Sequence, residues 1–176
     1  MTSFKYMNLD GVLLFTPTQF RDNRGVFSEV YKHYEDCPRW VQDNQSISYK
    51  AGTVRGLHYQ RGEHAQTKLV RCVWGSILDV AVDIRPESPT YGQHVSAILS
   101  AENGNQLLVP KGFAHGFMTL RDDCVVVYKV DNRYNKESEG AIRWNDPDLK
   151  IDWEYLGASE ISEKDAEAPL FKDIVL

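Results

Sequence analysis

Two stretches of the chain gather residue types suited to moving protons. The first is Arg55-Gly56-Leu57-His58-Tyr59-Gln60, set in an alternating run that reads as a β-strand. Simple alternation sends Arg55 and Leu57 to one face and His58 and Gln60 to the other. The second is Pro110-Lys111-Gly112-Phe113-Ala114-His115-Gly116-Phe117, a Pro-x-Gly-x-x-His turn leading into another strand. An unperturbed imidazole titrates at about 6.5, so histidine is the side chain best matched to taking a proton at neutral pH. A lone histidine is more often a hydrogen-bonded interior residue than a catalyst. His58 departs from that rule through its company: Arg55, Lys68, His115 and Tyr128 all fall on strands expected in one small barrel.

The elements that must position these residues are strands. In Ser76–Arg85, Leu78, Val80, Val82 and Ile84 share one face, and Asp79, Ala81 and Asp83 the other, predicting one dry and one polar face. Similar runs occur at Gly11–Phe15, Val26–Tyr31, Val54–Gln60, Lys68–Trp74, His94–Leu99, Gln106–Val109, Ala114–Leu120 and Cys124–Val130. Turn signals separate them, among them Asp22-Asn23-Arg24-Gly25, Arg61-Gly62, Asn103-Gly104 and Pro110-Lys111-Gly112. About nine short strands at close spacing predict an all-β sandwich or barrel. Helix is expected in two short peripheral places. One is Lys32–Cys37, ended by Pro38. The other is Ser162–Ala166, with Ser162 as cap and Asp165 at the capping-box position. The rest of the charged stretch Glu160–Glu167 reads as solvated surface.

At 176 residues the chain fits one domain, 1–176, with a core that needs no metal or disulfide. Its 42% hydrophobic and 26% charged residues are ordinary for a globular protein. A net charge of −5 argues against nucleic-acid binding, yet leaves room for a phosphate-bearing small molecule held by a few arginines. Cys37, Cys72 and Cys124 form no CxxC pair or disulfide framework, which points to a reducing compartment. Met1-Thr2-Ser3-Phe4-Lys5 lacks the apolar core of a signal peptide, and no segment nears the roughly 20 apolar residues of a membrane span. The expectation is a cytoplasmic protein without membrane partners.

The Pro-x-Gly-x-x-His turn resembles the second motif of the cupin jelly rolls, whose histidine projects into the barrel. Metal-binding cupins usually carry a His-x-His pair and a nearby glutamate in the first motif. Here Tyr59-Gln60 follows His58, and His64 lies in a polar loop. A catalytic metal needs three convergent ligands with open positions, and beyond His58 and His115 no third is evident. The expectation is a site without metal or cofactor.

Over nearly its whole length the chain resembles the dTDP-4-dehydrorhamnose 3,5-epimerase family of cupins. The resemblance rests on Phe20-Arg21-Asp22-Asn23-Arg24-Gly25-Val26-Phe27-Ser28-Glu29, Val41-Gln42-Asp43-Asn44 and Val54–Gln60. It continues through Lys68-Leu69-Val70-Arg71-Cys72, Asp79–Arg85, Gly112–Phe117, Trp144-Asn145-Asp146-Pro147 and Ser162–Pro169. It implies a jelly-roll fold and a nucleotide-linked 4-keto-6-deoxyhexose substrate, whose ketone acidifies the C–H bonds at C3 and C5. It implies His58 as base, Asp165 as its hydrogen-bond partner, Tyr128 as proton donor and Lys68 beside the enolate oxygen. It further implies substrate contacts from Arg24, Phe27, Glu29, Gln42, Asp43, Asn44, Arg55, His115, Glu139 and Lys164, with Tyr134 stacking on the base. Arginine suits pyrophosphate because its planar donors bind in pairs. Departures are Arg133, where some members have a second tyrosine, and Val26, where an aromatic is frequent. Members are generally homodimers exchanging an N-terminal strand, a part that Gly11–Phe15 fits.

Without the resemblance each residue has a plainer reading. Asp165 is a first-turn helix aspartate, Tyr128 a barrel wall, Lys68 a solvent-facing lysine and the surface charges are solvated. Three rival functions stand beside the double epimerase: a single 3- or 5-epimerase or ketoisomerase on a related deoxysugar, a non-catalytic sugar-binding cupin, and a metal-dependent oxygenase or isomerase.

Overall fold

The computed structural model describes residues 3–33, 37–153 and 158–176. Its strands are β1 (Ser3–Tyr6), β2 (Leu13–Thr16), β3 (Phe20–Asp22), β4 (Gly25–Phe27), β5 (Gln42–Ser48), β6 (Thr53–Gln60) and β7 (Lys68–Trp74). They continue with β8 (Ser76–Asp83), β9 (His94–Ser100), β10 (Gln106–Val109), β11 (Phe113–Thr119), β12 (Cys124–Val130), β13 (Glu139–Ala141) and β14 (Glu160–Ile161), followed by a one-turn helix α1 (Glu163–Ala166). One sheet runs β1-β2-β10-β7-β12-β5 and the other β13-β6-β11-β8-β9, with β14 parallel to β6. Among the described residues β3 and β4 pair only with each other. The two sheets face one another as the expected jelly-roll sandwich.

Apolar side chains from both sheets fill the space between them. Val70, Cys72, Leu107, Val109 and Val126 come from the first sheet and Ile77, Ala81, Leu99, Phe113 and Phe117 from the second. The second sheet is also covered on its back, where Val54, Leu57, Tyr59, Leu78, Val80 and Met118 meet Ile142, Leu149 and Trp153 of the C-terminal region. β8 is therefore buried on both faces, against the expectation of one polar face. Its Asp79 and Asp83 are fully buried: the Arg85-Ser88-Thr90 turn satisfies Asp83, and one oxygen of Asp79 meets His115. That turn collects Asp83 and ends the strand two residues before the predicted boundary.

Strands β7, β10 and β12 have the bounds that apolar alternation predicts. The run expected over Val26–Tyr31 pairs only to Phe27, and beyond it the Gln106 side-chain amide, rather than a neighbouring strand, takes the Val30 carbonyl. β5 escapes an apolar-periodicity reading because its half-buried positions are Gln42, Asn44 and Ser46. Ser162 caps α1 as expected, its side chain accepting from the Asp165 N–H. Of the other expected helix, Lys32, His33 and Cys37 are not helical, and 34–36 lie outside the described residues. Among the described residues no helix is long and apolar enough to cross a membrane.

The expected alternation in β6 fails at one point. His115 on β11 faces His58, yet Phe117 faces Arg55, so Gly56 and Leu57 together oppose Gly116 alone. This is a β-bulge, which resets the alternation by one residue. Val54, Leu57 and Tyr59 consequently share the back of the sheet, and Arg55 lies with His58 on the side of Tyr128 instead of with Leu57. The crossing is tight: a Cβ on Gly56 would sit 2.5 Å from Gly116 Cα, and one on Gly116 would sit 2.8 Å from the Arg55 carbonyl oxygen. Gly56 also has φ +131°, a conformation side chains rarely adopt. Gly56→Ala should thus cost about 3 kcal/mol or more, combining strain with backbone overlap. Gly62→Ala, at φ +57° with open space around its Cβ, should cost about 1 kcal/mol. Urea unfolding midpoints check this difference; equal shifts would contradict it.

Candidate active site

The bulge places His58 in a pocket of about 360 Å³ between the open ends of the two sheets. Gln42 and Asn44 of β5, Lys68 of β7 and Tyr128 of β12 line one side, and His58 and Gln60 of β6 with Glu139 of β13 the other. Tyr134, from the loop between β12 and β13, stands at the rim. His58 and Tyr128 therefore project from opposite sheets into one cavity.

The short helix α1 supplies the partner of His58. Asp165 Oδ1 lies 2.7 Å from His58 Nε2, and Asp165 Oδ2 accepts from the Gly56 N–H at 3.1 Å. Burial alone raises the Asp165 pKa, but its hydrogen bond to His58, the imidazole charge, the Gly56 N–H and Lys164 together carry it below the ordinary value. An ionised Asp165 accepts the Nε2 proton, which leaves the neutral ring's lone pair on Nδ1. The carboxyl is 5% exposed and the imidazole 34%, so one is anchored in protein and the other reaches the pocket.

Lys68 Nζ approaches the His58 carbonyl at 3.4 Å. Burial pushes its pKa down to about 8, with Asp79 and Glu139 pulling it part of the way back. At pH 7 the ammonium still dominates by about ten to one. Burial raises the Tyr128 pKa, only partly offset by the nearby Arg55 charge, so its phenol keeps its proton at neutral pH. At the rim, Glu139 accepts from Lys164 at 2.7 Å and from Tyr134 Oη at 3.1 Å. Burial acts to raise the Glu139 pKa, and these partners with His58 outweigh it and keep the carboxylate ionised. Behind the pocket, Asp79 Oδ1 lies 2.9 Å from His115 Nε2, and Asp79 Oδ2 is buried without a hydrogen-bond partner.

His58, Lys68, Tyr128, Asp165, Gln42, Asn44, Tyr134, Glu139 and Lys164 are thus brought to the pocket or its immediate supports. The other expected site residues do not line it. Arg24 is held by Asp22 at 2.6 Å on the exposed β3–β4 hairpin, Phe27 is 70% exposed, and Glu29 faces Lys32 at 3.5 Å. Asp43 points outward to Lys129 because it alternates with the inward Gln42 and Asn44. Arg55 donates to Ser48 Oγ and the Ile47 carbonyl beside the cavity, and His115 is buried against Asp79. Gln60, Gln66 and Asp79 lie at or behind the pocket although they are outside the expected set. Gln60 was signalled by sharing the face of His58, and Asp79 by interrupting an apolar strand. Among the described residues no group of three or more His, Cys, Asp or Glu converges to hold a metal.

The model of the dTDP-4-dehydrorhamnose 3,5-epimerase family matches residues 6–173. The chain is 50% identical over 171 residues to the dTDP-4-dehydrorhamnose 3,5-epimerase of Salmonella typhimurium, covering 94% of this chain and 93% of that protein. Among solved structures it is similar to the dTDP-6-deoxy-D-glucose-3,5-epimerase RmlC from Legionella pneumophila in complex with dTDP-4-keto-L-rhamnose. That match has TM-score 0.93 and 41% identity, covering 99% of this chain and 95% of that one. It is also similar to ChmJ, a 3'-monoepimerase from Streptomyces bikiniensis solved with dTDP-quinovose, at TM-score 0.88 and 30% identity, covering 94% and 86%.

The unusual charge in this pocket is Lys68. Its native pKa lies below the ordinary 10.5, so between pH about 8 and 10.5 the unfolded chain binds more protons. Through this group alone, stability rises with pH across that window and does not vary below it. NMR titration of the Lys68 side chain should give a midpoint near 8. Asp79→Asn should lower it further by removing a charge that favours the ammonium. A midpoint at the ordinary 10.5 in the native protein would contradict this placement.

Proposed function

The chain belongs to the dTDP-4-dehydrorhamnose 3,5-epimerase family, an isomerase family, and from that premise we propose the chemistry its own residues perform. The substrate is dTDP-4-keto-6-deoxyglucose, and the product is dTDP-4-keto-L-rhamnose, on the route to dTDP-L-rhamnose. His58 Nδ1 removes the proton from a carbon next to the ketone, and the electron pair moves onto O4 as an enolate. Lys68 holds that oxygen with its ammonium, in surroundings where a fixed charge acts more strongly than in water. The Tyr128 phenol returns a proton to the opposite face of the same carbon, inverting it. Asp165 fixes the imidazole tautomer and stabilises the imidazolium. Repetition at the second carbon completes the double inversion. The observation carrying this reading is that an imidazole and a phenol from opposite sheets share one hexose-sized cavity.

Tyr134 stacks on the nucleobase, with Glu139, Lys164, Gln42, Asn44 and Arg55 around the nucleotide sugar. The reaction uses no metal: His58 and His115 are each committed to a carboxylate, and Gln60 stands where metal cupins place a second histidine. The whole chain acts as one catalytic domain in the cytoplasm, in keeping with three cysteines that form no CxxC pair. It works as a homodimer. Arg24, Phe27 and Glu29, assigned to substrate by resemblance, lie off the pocket of their own chain, and a second copy brings them to it.

The test is NMR of dTDP-4-keto-6-deoxyglucose with the protein in deuterium oxide. Label should enter at both C3 and C5, with EDTA without effect. Label at one carbon alone would favour a single epimerase, as in the ChmJ likeness, and binding without exchange a non-catalytic module. His58→Asn and Tyr128→Phe should each slow exchange by about 10² to 10⁴. kcat/KM should fall above pH about 8 as Lys68 loses its proton. A second experiment addresses the dimer. Co-refolding inactive Arg24→Ala and His58→Asn chains should restore about a quarter of wild-type activity, since half the dimers are mixed and each has one complete site. No recovery would mean each hairpin serves its own chain.

A further inference from the structure

Tyr134 is 56% exposed and its hydroxyl donates to Glu139 at 3.1 Å, so packing does not fix its ring. Its backbone lies between β12 and β13, with no ladder partner among the described residues. Side-chain amides hold this loop instead. Gln60 Nε2 donates to the His64 carbonyl at 2.6 Å and to the Arg133 carbonyl at 3.2 Å, while its Oε1 accepts from the Asn135 N–H at 2.7 Å. One amide group therefore grips the residue before Tyr134 and the residue after it. Gln66 Nε2 adds a bond to the Asn132 carbonyl and Asn132 Nδ2 one to the Glu63 carbonyl, tying the loop to the segment after β6. Gln60 itself is 9% exposed, on a strand that Leu57 and Tyr59 pin to the core. Its position is consequently set by the fold and not by the loop.

We propose that Gln60 is a positioning residue for nucleotide recognition: its amide clamps the backbone on both sides of Tyr134 and pre-orients that ring for the base. This rests on the reading of Tyr134 as the base-stacking residue. Two residues from His58 on the same strand face, Gln60 thereby links the sugar end of the site to the nucleotide end. An amide serves where an imidazole or carboxylate does not, because the clamp needs two donors and an acceptor from one planar group. Preorganising a contact lowers the ordering cost of binding without touching the reacting carbons.

The variant to use is Gln60→Met, which keeps the length and removes all three bonds. Amide exchange at Asn135 should quicken about tenfold or more, while Ile142, whose N–H pairs with the Leu57 carbonyl farther along β6, keeps its wild-type rate. KM for the nucleotide sugar should rise about five- to tenfold with kcat within about twofold. Tyr134→Ala should raise KM as well, and Gln60→Met should add nothing on that background. Gln60→Glu, which retains the acceptor for Asn135 and loses both donors, should fall between wild type and Gln60→Met. Additive KM effects, a fall in kcat at unchanged KM, or lost protection at Ile142 too would overturn the inference. The exchange readout needs no substrate. Unchanged protection at Asn135 in Gln60→Met therefore overturns it whatever the activity, whereas a wild-type protein that turns over no nucleotide sugar overturns the functional reading beneath it.

Discussion

The site depends on one carboxylate serving two strand groups at once. A β-bulge leaves a backbone donor out of the ladder, and a buried N–H without a partner costs about 1–3 kcal/mol. Asp165 answers that need at Gly56 with one oxygen and holds the His58 imidazole with the other. The irregularity that brings Arg55 and His58 to the same face is thus stabilised by the group that also sets the imidazole tautomer. The aspartate occupies the third position of a capped one-turn helix, where a carboxylate ordinarily turns back to the cap. Here it reaches out to β6, so the short helix acts as a mount.

Opposed reactive groups follow from the sandwich itself. Strand order places β6 beside the edge strand β13 in one sheet and β12 beside the edge strand β5 in the other, and the apolar filling between the sheets stops short of the end where the pocket opens. Burying a large aliphatic side chain stabilises by about 1.5–3 kcal/mol. A core with so many such residues tolerates Asp79, His115 and a desolvated Lys68 beside it. Those polar groups then sit in surroundings drier than water, where their charges interact across the pocket with less screening.

Legibility in the sequence followed the chemistry of each face. Strands β7, β10 and β12 announce themselves because their inward residues are apolar, and the Ser162 cap is a local signal that needs no tertiary knowledge. β5 is silent to the same reading because its inward residues, Gln42 and Asn44, face a cavity instead of a core. The faces of β6 were misread at Arg55 because alternation cannot foresee a bulge whose cause is two glycines on separate strands, Gly56 and Gly116. β8 reads as half polar because Asp79 and Asp83 share the face of Ala81, which looks into the sandwich, and their buried partners, His115 and the Arg85-Ser88-Thr90 turn, cannot be foreseen from alternation. Strand patterning already sets His58, Lys68 and Tyr128 in one small barrel, but their roles, and Asp165 as the partner of His58, come only through family resemblance. Composition and spacing alone leave them as a wall tyrosine, a surface lysine and a helix-start aspartate around one histidine. Arg24, Phe27 and Glu29 match the family in sequence, yet within one chain their positions give them nothing in the pocket to touch.

Asp165 follows the strands of both main sheets in chain order, which sets an order of events during synthesis. Every one of those strands precedes it, so a nascent chain can pair its sheets while the partner of His58 is still inside the ribosome. The imidazole gains its anchor only when α1 emerges and folds back onto β6. A product terminated before α1 then keeps the strands and lacks the carboxylate, which makes the anchored imidazole a late acquisition of the growing chain.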